Sequence, residues 1–144
     1  MRFMIRRAFF GVVCATLICS GAGLAWGVEL IVHPGVAAME VSRPLARLIF
    51  GAKVTSWADG SRIRVFVMPD ESPLHQEMAK GILDLYPYQL RAAWDRVIYT
   101  GIGQAPIQVA NESEMRKQVA TTPGAIGYVG RIYSNDKVRA LPVR

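Results

Sequence analysis

The 144-residue sequence carries 17 Lys and Arg against 11 Asp and Glu, a net charge of +6. That length suits one domain, and the basic residues are scattered rather than run together, which argues against nucleic-acid binding. Two cysteines and two histidines, in no Cys-x-x-Cys or His-x-x-x-His spacing, argue against a metal site or other bound cofactor.

The chain starts with a basic stretch, Arg2, Arg6 and Arg7, followed by an uncharged apolar run over residues 8–24. Ala25-Trp26-Gly27 then offers small residues at the −3 and −1 positions of a cleavage site, so residues 1–27 read as a secretory signal peptide. The alternative is a retained anchor, for which a run of about 17 residues is at the short limit. Cys14 and Cys19 both fall in this segment, and neither follows the Leu-x-small triplet of lipoprotein processing. The expected domain is therefore residues 28–144, free of cysteine. Removing the three leader arginines lowers the net charge from +6 to about +3.

Val28 to His33 reads as a short strand closed by Pro34-Gly35. Ser42 stands as N-cap to a helix over Arg43–Phe50, with Pro44 in the first turn and Gly51 at the position of a C-terminal glycine. Leu45, Leu48 and Ile49 are spaced to form its apolar face. Trp57-Ala58-Asp59-Gly60 makes a turn into the β-branched run Ile63 to Met68, a strand ended by Pro69-Asp70. Ser72 and Pro73 open a second helix. A third covers about Tyr88 to Val97, with Leu90, Ala93, Trp94 and Val97 at helical spacing. Gly101-Ile102-Gly103 and Pro106 form a loop before a strand at Ile107 to Val109. Asn111, with Glu114 three residues on, fits the capping box of a fourth helix. After it, Thr122-Pro123-Gly124 turns into the apolar run Ala125-Ile126-Gly127-Tyr128-Val129, a buried strand in which Gly127 marks a close approach of another segment. Asn135-Asp136 turns into an edge strand within Val138 to Val143. The order β-α-β-α-α-β-α-β-β predicts an α/β domain of three layers with a mixed sheet.

No Gly-x-Ser-x-Gly elbow and no cysteine nucleophile is present after the leader, so no enzyme is expected. Asp70-Glu71, and Glu112 with Glu114, sit at helix starts, where carboxylates complement the dipole. Gly101-x-Gly103 lacks the third glycine of a dinucleotide loop and reads as a turn. The helix start at Ser72 offers free amides and partial positive charge, an arrangement that binds oxyanions. Capping is its weightier role, with ligand binding the alternative. Trp94 is expected in the core, Trp57 stays open to ligand contact, and Tyr86 and Tyr88 are expected to pack, with a partner surface as the alternative.

Leu48-Ile49-Phe50-Gly51-Ala52-Lys53, Trp57-Ala58-Asp59-Gly60-Ser61-Arg62-Ile63 and Thr122-Pro123-Gly124-Ala125-Ile126-Gly127-Tyr128-Val129, in this order, resemble the phosphate ABC transporter substrate-binding family of type 2 periplasmic binding proteins. The resemblance covers nearly all of residues 28–144 and is strongest to short, stand-alone members. It implies an α/β domain like one lobe of a periplasmic binding protein, located in the periplasm. The implied ligand is phosphate or another small oxyanion, and the implied partner a membrane transporter or another periplasmic protein. The alternative is an interaction module without ligand. In the family a Ser-Gly-Thr segment at a helix start, preceded by an arginine and an aspartate, binds phosphate. The matching segment is Met68-Pro69-Asp70-Glu71-Ser72-Pro73-Leu74, so the implied anion-binding positions are Asp70, Ser72 and Leu74. Here methionine replaces the arginine, Pro73 replaces the glycine and removes a donor, and Glu71 adds negative charge.

Overall fold

The computed structural model describes residues 27–144, so the leader expected at residues 1–27, and with it the choice between cleaved signal and anchor, lies outside the described residues apart from Gly27. The strands are β1 (Glu29–Val32), β2 (Arg64–Val67), β3 (Ile107–Gln108), β4 (Ala125–Val129) and β5 (Arg139–Ala140). The helices are α1 (Arg43–Phe50), α2 (Pro73–Glu77), α3 (Pro87–Thr100) and α4 (Glu112–Thr121), and α2 runs directly into a π-helical turn, Met78–Ile82. Apart from that turn, the order of elements is the expected one.

The sheet order is β3-β2-β4-β1-β5, with β4 at its centre. β4 pairs antiparallel with β1, Val32 opposite Ile126, and parallel with β2, Val65 opposite Ile126. β3 lies parallel to β2 and β5 antiparallel to β1, so the sheet is mixed. All five β4 residues are buried, which is how a strand covered on both faces reads. Successive side chains point to opposite faces. Tyr128 meets Phe50 of α1 and His75 of α2. On the opposite face, a Cβ added at Gly127 would meet Met115 Sδ of α4 at 2.5 Å and Val119 Cγ2 at 3.0 Å. Helices therefore cover both faces, and the domain has three layers. Gly127 is the close approach the sequence indicated, made by α4.

Two local expectations are corrected. The buried face of α1 is Ala46, Ile49 and Phe50, whereas Leu45 and Leu48 remain partly exposed. Gly51 has φ −78°, and the positive φ after the helix falls on Ala52. Two tryptophans tie segments distant in sequence through their indole N–H groups, as buried indoles require. Trp94 Nε1 donates to the Phe50 carbonyl at 2.7 Å, and Trp57 Nε1 to the Gly124 carbonyl at 3.1 Å. Trp57, which the sequence left undecided between core and ligand contact, is 7% exposed and is a core residue. Gly124 has φ +75°, and a Cβ there would collide with the Arg62 carbonyl. The Pro123-Gly124 turn thus requires glycine for conformation and for space.

Candidate functional site

The sequence directs attention to Asp70, Ser72 and Leu74, where the chain leaves β2 and enters α2. The fold places all three in one short segment. Ser72 occupies the N-cap position with Pro73 just inside, as expected, but its side chain makes no capping hydrogen bond. Its hydroxyl lies instead 3.7 Å from Met68 Sδ, a weak partner. Ser42 and Asn111 behave differently. Ser42 Oγ accepts from the Leu45 N–H at 3.3 Å, and Asn111 Oδ1 from the Glu114 N–H at 2.9 Å. Capping, the weightier reading of Ser72, is therefore not made by its side chain. Leu74 is half-buried at the second helical position, where a backbone N–H has no partner within the helix.

Asp70 is the organised member of the segment. Its carboxylate takes two hydrogen bonds from Arg91 on α3, Nε to Oδ2 at 2.9 Å and Nη2 to Oδ1 at 2.8 Å. This paired geometry is the strong form of a charged hydrogen bond. The Arg91 guanidinium also lies 5.0 Å from the centre of the Trp94 ring, a cation–π distance. Hydrogen bonding to Asp70 raises the Arg91 pKa further, so its charge is permanent. Position 68 has no arginine, yet a guanidinium reaches Asp70 from another element.

Behind this pair is a buried polar chain. Tyr128 Oη accepts from the Met68 N–H at 2.7 Å and lies 2.6 Å from His75 Nδ1. The phenol has one hydrogen. Donating it to Nδ1 leaves the ring hydrogen on Nε2, an assignment made from the network. Nε2 is buried without a hydrogen-bond partner, 3.8 Å from Asp70 Oδ1. Burial lowers the His75 pKa, Asp70 opposes that shift and Arg91 adds to it. Burial likewise pushes the Tyr128 phenol well above its ordinary range, against a smaller opposing effect of the Met68 N–H.

Arg91, His75 and Tyr128 escape a reading by spacing. Arg91 is 21 residues from Asp70, and Tyr128 is 53 from His75. The one available signal was Tyr128 itself, because a phenol in a strand buried on both faces has to find a polar partner. Tyr86 and Tyr88, expected to pack, are instead 56% and 69% exposed and stack on each other at 5.7 Å.

No family model matches the sequence. The phosphate-binding protein PstS of Bacillus subtilis (strain 168) is 26% identical over 125 residues, covering 81% of this chain and 36% of that protein. An ABC-type phosphate transport receptor from Vibrio cholerae superposes with a TM-score of 0.62 at 14% identity, over 81% of this chain and 46% of the other. PstS from Borrelia burgdorferi does so with a TM-score of 0.62 at 16% identity and the same coverage. The chain spans less than half the length of each. What matches is the fold of one lobe.

Proposed function

We propose that this chain, which has the fold of one lobe of the phosphate ABC transporter substrate-binding proteins, is an exported, non-enzymatic solute-binding protein for phosphate or a related oxyanion. The reading rests on the Asp70–Arg91 pair, which ties a permanent cation to the segment two residues before Ser72. Asp70 engages Arg91 Nε and Nη2 and leaves Nη1 for an anion. Ser72 contributes a hydroxyl that caps nothing, and Leu74 a backbone N–H. Pro73 contributes no donor, so the set is smaller than a glycine there would give. One lobe covers one side of a ligand, so tight binding needs a second surface. A membrane transporter or another periplasmic protein is the partner that fits an exported domain of this kind, with residues 1–27 acting as a cleaved signal and residues 28–144 as the domain.

The test is calorimetric titration of the 144-residue chain with phosphate and with sulfate. Saturable heat is expected. Ligand held at 100 times its Kd should raise stability by about 2.7 kcal/mol, seen as a thermal shift. Ser72→Ala should leave the melting temperature unchanged, since no capping bond is lost, and weaken the anion. Absence of both heat and shift at millimolar anion would end the oxyanion reading.

A second reading, an interaction module without ligand, is favoured by exposed apolar side chains: the Tyr86–Tyr88 stack, Tyr99 at 90% and Ile102 at 79%. Such groups mark partner surfaces when they gather on one face. It requires silence in the anion titration, together with a partner whose binding is lost in Tyr86→Ala/Tyr88→Ala.

A further inference from the structure

A cleft of about 360 Å³ opens at the N-terminal ends of β2 and β3, and its lining includes Thr55, Ser56, Arg62, Arg64, Gln104 and Ile107. β2 starts in this cleft at Arg64, and the Asp70–Ser72 segment leaves its other end, so about 10 Å of strand separates the two places. The cleft is thus independent of the site described above. Its volume is within the range of small-molecule sites.

The charge of the cleft is unbalanced. Elsewhere Arg47 pairs with Asp84, Arg91 with Asp70, Arg116 with Asp136 and Arg144 with Glu40, while Arg43, Arg96, Arg131 and Arg139 are scattered outside the cleft without an ion pair among the described residues. Among the described residues, Arg62 and Arg64 are in no ion pair, and no acidic residue lines the cleft. The nearest carboxylate in sequence, Asp59, is engaged by the Ser61 N–H and hydroxyl. Arg64 Nη1 makes only a 3.5 Å contact with Gln104 Oε1. Two residues apart in extended chain, both arginines are on one side of the backbone.

The backbone beneath them is fixed. The Ile63 N–H donates to the Thr55 carbonyl at 2.9 Å and the Arg64 N–H to the Gly124 carbonyl at 3.1 Å. The Arg62 carbonyl is packed against Gly124. Two guanidinium groups on a braced strand, with hydroxyls from Thr55 and Ser56, suit a carboxylate or phosphoryl group. Ile49, Ala105 and Ile107 provide an apolar wall next to them.

We propose that this cleft binds a small organic anion, its acidic group held by Arg62 and Arg64 and its apolar body laid against Ile49, Ala105 and Ile107. Inorganic phosphate alone would leave the apolar wall unused, so the ligand class differs from that of the Ser72 segment.

The experiment is a titration of the 144-residue chain with benzoate and with phenyl phosphate, followed by backbone amide shifts. Saturable shifts are expected at Ser56, Arg62 to Val65 and Gly103 to Ala105. Benzamide, of the same shape but neutral, should bind at least about ten-fold more weakly, as should either anion to R62Q/R64Q, since each charged hydrogen bond lost costs roughly that factor. The double variant is checked by its melting curve. Should it fail to fold, R62Q alone, at an exposed position, takes its place. Equal binding of benzamide, undiminished binding to the arginine variants, shifts confined to other regions, or no saturation with either anion would each overturn the proposal. A parallel titration with inorganic phosphate reports on the Ser72 segment, so failure of one reading is distinguishable from failure of the other.

Discussion

Tyr128 joins the centre of the sheet to the candidate site through one oxygen. Removing that oxygen in Tyr128→Phe leaves the Met68 N–H and His75 Nδ1 without their partner in a buried place. The expected cost is about 1–3 kcal/mol, read from chemical denaturation. His75 sets a pH dependence. Its folded pKa is below the ordinary 6.5, chiefly through burial. As pH falls through 6.5 the unfolded chain binds a proton that the folded chain refuses, so the stability this group contributes is present above pH 6.5 and declines below it. Melting temperature should therefore fall between pH 7.5 and 5.5, and the slope should be shallower in His75→Asn. A slope unchanged by that substitution would assign the dependence to other groups.

Helix starts in this chain are of two kinds, and the difference bears on function. α4 is closed reciprocally: Asn111 Oδ1 accepts from the Glu114 N–H, and Glu114 Oε2 accepts from the Ala110 N–H at 2.7 Å. Asn111→Ala should cost about 1 kcal/mol in thermal denaturation. The Ser72 hydroxyl carries no such duty, and α2 is only five residues long before the π-helical turn. π turns are often found at functional sites. This one lets Met78, Ala79 and Leu83 all reach the core while the preceding turn presents Asp70 to Arg91. A stability loss in Ser72→Ala as large as that in Asn111→Ala would contradict this division.

In the whole molecule, the sheet is closed by segments far apart in sequence. β1 lies between β4 and β5, so the first described strand is held by the last two. The final residues are stitched on by the Leu141 N–H to Leu30 carbonyl bond at 2.9 Å, and Leu141 is 2% exposed. Leu141→Ala should cost about 2–5 kcal/mol, measured by denaturant unfolding, in which a single cooperative transition is expected. A small loss would show that the C-terminal strand is an appendage. The unpaired Arg62 and Arg64 and the exposed Tyr86–Tyr88 stack also belong to this scale, since neither is explained by packing within one domain.

The sequence alone determined the order of elements, the mixed α/β class and the centrality of Ala125 to Val129. These follow from local causes: Pro123-Gly124 dictates a turn, five apolar residues dictate burial, and Asn111 with Glu114 dictates a helix start. It also placed Asp70, Ser72 and Leu74 in one segment, because adjacency in sequence guarantees adjacency in space. It misplaced the apolar face of α1, because spacing alone does not say whether the sheet will cover the side with Leu45 and Leu48 or the side with Ala46 and Phe50. It left Trp57 open because its partner, the Gly124 carbonyl, is 67 residues away. Only the tertiary structure decided that Arg91 pairs with Asp70, that His75 and Tyr128 stand behind the pair, and that Arg62 and Arg64 share a cleft. Each depends on side chains from different elements converging, and convergence is set by packing the layers together, a property that no local window of sequence contains.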